Sequence, residues 1–105
     1  MRAPGAAVLI FLALGVNAAH AQDVVVRIVK FKFVPAELTV KPGTRVIWKN
    51  GDQAPHSVIS KDEKTFRSAA LDTDDTFART FTKAGVNAYY CGLHPFMRGK
   101  IVVKP

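Results

Sequence analysis

The sequence predicts an all-β fold, an antiparallel β-sandwich of 84 residues behind a cleaved leader. Three observations point there. Short runs of β-branched and aromatic residues recur along the chain, Pro, Gly and Asn punctuate them, and no segment carries an apolar stripe at helical spacing. Several short strands in one small domain are most simply packed as two sheets face to face.

The elements follow in order. Residues 1–21 read as a signal peptide: Arg2 is a basic start, residues 6–16 form an apolar run, and Ala19-His20-Ala21 offers small residues on either side of a cleavage point after Ala21. The run is shorter than the roughly 20 apolar residues a spanning helix needs, so no membrane anchor is expected after processing. Residues 24–33 read as one strand, with Lys30 and Lys32 alternating against Phe31 and Phe33 and Pro35 ending the run. Residues 37–41 are a short strand and Pro42-Gly43 a turn. Residues 44–49 place Val46 and Trp48 on one face and Arg45, Ile47 and Lys49 on the other. Asn50-Gly51-Asp52 breaks that strand, and another is expected to start at His56. Residues 61–75 are polar and irregular, with room for a short helical turn. Strands are then expected at 76–82, 86–91 and 99–103, with Lys83-Ala84-Gly85 as a turn.

Composition narrows the function. Of 15 basic residues the leader holds only Arg2 and it holds no acid, which leaves 14 basic against 8 acidic residues, a net +6. Such a domain is steered towards acidic surfaces. Export makes nucleic acid a poor partner and places the chain in an oxidising compartment, where cysteines pair. Cys91 has no second cysteine to pair with. A lone thiol in an exported chain calls for a metal bond or an intermolecular partner.

Beyond the leader the chain contains one Cys, one Met and two His: Cys91, Met97, His56 and His94. Three of them lie at three-residue spacing in Cys91-Gly92-Leu93-His94-Pro95-Phe96-Met97. A helix would need Pro95 in its interior, at a cost of about 3 kcal/mol, so a loop between two strands must carry them. One thiolate, two imidazoles and a weak axial thioether are the ligand set of a blue-copper electron-transfer site. Zinc fits less well, because thioether is a poor zinc ligand and structural zinc usually takes more thiolates. A Cys-His nucleophile fits less well too, since no Asn, Asp or Glu in the 91–97 segment orients the imidazole. The chain therefore reads as a carrier and not an enzyme. A copper-binding or delivery protein on the same scaffold is the alternative.

Ala54-Pro55-His56 and Cys91-x-x-His94-Pro95-Phe96-Met97-Arg98-Gly99-Lys100 resemble the copper-site segments of the cupredoxins, those of the amicyanin type in particular. Lys30-x-Lys32-Phe33, Val46-x-Trp48 and Phe81-Thr82-x-Ala84-Gly85 fit as well, so the resemblance spans residues 22–105. It implies a Greek-key β-sandwich holding one type 1 copper ion, Cu(I) or Cu(II), in the periplasm. It implies His56, Cys91 and His94 as equatorial ligands and Met97 as the axial one. It also implies an exposed His94 edge among Leu93, Pro95 and Phe96. The redox partners it implies are a methylamine dehydrogenase-like donor and a c-type cytochrome acceptor; the basic charge adds acidic docking surfaces, and a monomer is expected. Two residues depart from the family pattern. Ser57 stands where Asn usually ties the two ligand loops. Leu93 stands in place of Pro, which frees its backbone N–H to bond, with the Cys91 sulfur as candidate acceptor.

Overall fold

The structure, a computed structural model, describes residues 22–105. The expected leader lies outside the described residues. Eight strands and no helix make up the described chain: β1 (Asp23–Val29), β2 (Lys32–Val34), β3 (Glu37–Val40), β4 (Thr44–Asn50), β5 (Ile59–Ser60), β6 (Thr76–Phe81), β7 (Gly85–Tyr90) and β8 (Arg98–Val103). They form two four-stranded sheets, ordered β2-β1-β4-β6 and β3-β8-β7-β5.

The sandwich expected from the sequence is there, with sheets that are mixed. β1 runs parallel to β4 and β3 parallel to β8, while the other four pairings are antiparallel. Local alternation carries no information on which distant strand is a neighbour, so the parallel pairs had no signature in the pattern.

Alternation does place the core. Along β4, Val46, Trp48 and Asn50 are buried while Arg45 and Lys49 are exposed. Val26 and Ile28 of β1 face the same way, and Tyr89, Ile101 and Val103 come from the other sheet to meet them. Trp48 is fully buried, with the Tyr89 ring edge-on at 5.3 Å and Phe77 at 5.7 Å. Burial of such rings supplies much of the core's stabilisation, about 2–3 kcal/mol for a large side chain. Gly99 stands opposite Tyr89 on the paired strand, and a Cβ there would collide with the phenol ring. The close approach of that ring is why the position requires glycine.

Two expected elements differ. The expected strand 24–33 is a hairpin, because Lys30 (φ 52°) and Phe31 (φ 59°) turn the chain between β1 and β2. Residues 61–75 form no helical turn. They run alongside the His56 segment, where His56 and Leu71 exchange backbone hydrogen bonds of 3.1 and 2.7 Å and the Ser68 N–H donates to the Val58 carbonyl at 2.8 Å. The strand expected to begin at His56 starts three residues later, at Ile59.

Candidate metal centre

Every predicted ligand arrives at one end of the sandwich. Cys91 directly follows β7, and its side chain lies on the inward face two residues after Tyr89. The loop from Cys91 to Met97 then turns back into β8. It is closed by its own backbone: Cys91 N–H donates to the Met97 carbonyl (3.1 Å) and Met97 N–H to the His94 carbonyl (2.9 Å). Met97 is thereby set beside Cys91 in the core, 2% exposed. His56 comes from the 51–58 connection after β4 and is fully buried.

The donor atoms converge. Cys91 Sγ lies 3.7 Å from His56 Nδ1 and 3.8 Å from His94 Nδ1, and the two Nδ1 atoms are 3.2 Å apart. One atom from each of the three residues falls within 4.8 Å of the others. On its far side the His56 ring meets Asp52, whose Oδ2 is 2.8 Å from Nε2. A carboxylate there accepts a hydrogen bond from Nε2–H and so leaves Nδ1 bare towards the sulfur, which is how a metal-ligating imidazole is oriented. Two imidazoles, a thiolate and a thioether so placed suit one copper ion in a type 1 site.

Comparison with known proteins decides the family. The Cupredoxin-like domain family matches residues 5–103. Amicyanin of Paracoccus versutus is 36% identical to the chain, over 96% of this chain and 94% of its own. Amicyanin-alpha of Methylorubrum extorquens is 37% identical, over 85% of this chain and 78% of its own. The solved Cu(I) form of an amicyanin mutant superposes with a TM-score of 0.74 at 39% identity, over 83% of this chain and 88% of that one. The chain belongs to the cupredoxin family. Cupredoxins are blue-copper electron-transfer proteins, and the cofactor of this one is a single copper ion.

Several contacts in this cupredoxin depart from what the sequence announces. Ser57 does tie the ligand segments together: its Oγ accepts the Gly92 N–H at 2.8 Å, and its own N–H donates to Cys91 Sγ at 3.3 Å. Among the described residues this is the backbone N–H that reaches the sulfur; the Leu93 N–H makes no such bond. A Cβ on Gly92 would sit 2.5 Å from the tip of the Ile59 side chain and 3.0 Å from Ser57 Oγ, so glycine lets the two segments close up without moving either.

Three further residues shape the centre without any ligand-type signal. Asn50 is fully buried; its amide donates to the carbonyls of Ala54 and Leu71, both at 2.9 Å, and its Oδ1 accepts the Asp52 N–H at 2.8 Å. Asp52 also accepts the N–H groups of Lys30 (2.7 Å) and Phe31 (2.9 Å). Burial pushes its carboxyl up, but the two N–H groups and the His56 ring outweigh that and hold it below the ordinary aspartate value. Phe31 lies edge-on to both imidazoles, 5.0 Å from His56 and 4.9 Å from His94. Asn50 alone had a usable clue in the sequence, since it continues the inward face after Val46 and Trp48.

Proposed function

We propose that the mature chain, residues 22–105 after removal of a signal peptide at 1–21, is a soluble periplasmic carrier that accepts and donates one electron at a time. His56, Cys91 and His94 are its equatorial copper ligands and Met97 its axial one. The observation that carries this reading is the convergence of two Nδ1 atoms and one Sγ within 4.8 Å at the mouth of a rigid β-sandwich. Copper, when bound, supplies the Cu(I)/Cu(II) couple. The protein's part is to hold the ligands still: the 91–97 loop is fixed at both ends by β7 and β8, and His56 is fixed by backbone bonds to Leu71. Limited movement of the ligands favours fast transfer.

Contact with partners occurs where His94 reaches the surface. Leu93 and Phe96 beside it are exposed, at 50% and 69%, and Phe31 adds a third apolar side chain. The net positive charge of the domain favours acidic donors and acceptors through a small, short-lived interface. By likeness to the amicyanins, a methylamine dehydrogenase-like enzyme is the donor and a c-type cytochrome the acceptor. Adding Cu(II) to the protein should give an intense thiolate-to-copper charge-transfer colour that Cys91→Ser abolishes. A colourless adduct rejects the reading. Fast copper release together with slow electron self-exchange would instead identify a delivery protein.

A further inference from the structure

Asp52 stands at a crossing that copper ligation alone does not call for. One carboxylate oxygen takes the Lys30 N–H, and the other takes the Phe31 N–H and faces His56 Nε2. Its own main chain is held from both sides, by Asn50 Oδ1 on its N–H and by the Thr73 hydroxyl (2.7 Å) on its carbonyl. The side chain is only 14% exposed, and the His56 ring is its side-chain hydrogen-bond partner among the described residues. Little of its charge is therefore spent on solvent.

The turn it holds is an unfavourable one. Lys30 and Phe31 both have positive φ, and the two-residue hairpin they make is normally built from Asn-Gly or Asp-Gly. Side chains with a Cβ cost about 1–2 kcal/mol each in that conformation. Strain of this kind persists only where the surroundings impose it. Two charge-assisted hydrogen bonds donated to one carboxylate are strong enough to do so. Their result is functional in position: they press Phe31 against the outer edges of both imidazoles.

We propose that Asp52 is a positioning residue that locks the His56 ring and the 30–31 hairpin tip into one unit, making Phe31 a fixed wall of the copper site. The proposal rests on the copper reading for its purpose, but the lock itself is a property of the metal-free protein. Asp52 fixes the ring with Nδ1 bare, places a negative charge behind a copper ligand, and keeps water from the side of the centre that the 91–97 loop does not cover. In this way a strand turn far from the ligands in sequence becomes part of the rim.

The test begins without metal. In the metal-free protein, nitrogen NMR should find His56 protonated at Nε2 with Nδ1 bare, and the Lys30 and Phe31 amides protected from hydrogen exchange. In Asp52→Ala the two tautomers should mix and both amides should exchange at least about tenfold faster, in keeping with loss of strong hydrogen bonds. Unchanged tautomer and unchanged protection would overturn the proposal. With copper, Asp52→Ala should bind Cu(II) roughly 10- to 100-fold more weakly, the usual scale for removing a residue that orients a ligand. Its reduction potential should rise, because a negative charge that favours Cu(II) is gone. Asp52→Asn, which keeps the shape and loses the charge, should fall between the two; affinity and potential equal to the wild type in both variants would also overturn it. Should the alanine variant fail to fold, Asp52→Asn carries the test, since its NH2 donates and accepts nothing, so one of the two backbone amides loses its acceptor and its protection. A wild-type protein with no charge-transfer colour would defeat the copper reading, while the metal-free measurements would still decide the role of Asp52.

Discussion

His56 and His94 bring their Nδ1 atoms within 3.2 Å of each other, yet the two regions that carry them are built differently. His94 rides on a seven-residue loop that closes on itself, with two backbone bonds inside it and a strand at either end. His56 rides on a connection with no such internal closure. Its backbone is fixed from outside by Leu71 and its ring by Asp52, itself tied to the 30–31 turn, and behind them the buried amide of Asn50 bonds both Ala54 within the connection and Leu71 beyond it. One region is self-contained and the other is a junction. Changes in the first should act locally, and changes in the second should spread.

The largest effect is expected at the junction. Asn50→Ala removes three hydrogen bonds made by a fully buried side chain, stranding the Ala54 carbonyl and the Asp52 N–H and leaving the Leu71 carbonyl only its bond from His56, at about 3 kcal/mol in total. In a domain of this size that lowers the melting temperature by roughly 15 °C. Thermal unfolding of the metal-free protein checks it, and a drop of only a degree or two would erase the distinction between the regions. Ser57→Ala cuts the hydrogen bond from Gly92 that joins them, at about 1 kcal/mol. The same substitution should free the Gly92 amide, which loses its acceptor, but leave the Cys91 and Met97 amides that close the loop protected while those near His56 exchange faster. On the self-contained side, Leu93→Ala removes a half-exposed side chain and should change stability by less than about 0.5 kcal/mol in urea unfolding. A larger loss would mean the loop depends on its surface packing after all.

A remote control sharpens the scale. Asp62 accepts hydrogen bonds from the Ser60 hydroxyl, from the Thr65 hydroxyl and backbone, and from the Lys64 N–H, which hold its carboxyl well below the ordinary value. A depressed carboxyl contributes stability above its unfolded pKa, near 4, and that contribution is lost as pH falls towards the folded value. Asp62→Asn should therefore lower the melting temperature slightly at neutral pH, where the contribution is fully present, and converge with the wild type as pH falls well below about 4. The side chain is exposed, so this effect is the smallest of the four.

The same division explains what the sequence could and could not announce. Ligand spacing in the 91–97 loop is local, and Pro95 excludes a helix on its own, so that half of the centre could be read directly. Burial along β4 was equally readable because alternation is a property of one strand. Asp52 and Phe31 were hidden: they lie 21 residues apart, and Lys30-Phe31-Lys32-Phe33 imitates a continuous strand with no Gly or Asn to mark the turn. Ser57 and Gly92 are 35 residues apart, and nothing in either neighbourhood foretells the other. Pairings between distant strands escaped for the same reason, and with them the mixed character of both sheets.

The order of strands has a consequence for how the protein assembles. β8 lies between β3 and β7, so until its residues arrive β3 has no partner in its sheet and β7 holds only the two-residue β5. Closing such long-range pairings is the slow part of folding a β-sandwich. The 91–97 loop is drawn tight by the same event, because its second anchor is β8 itself. A growing chain can expose Cys91 and His56 well before it can bring them together. The copper site should thus mature in the last folding step, and a chain stalled before β8 docks would present a free thiol and not a binding site.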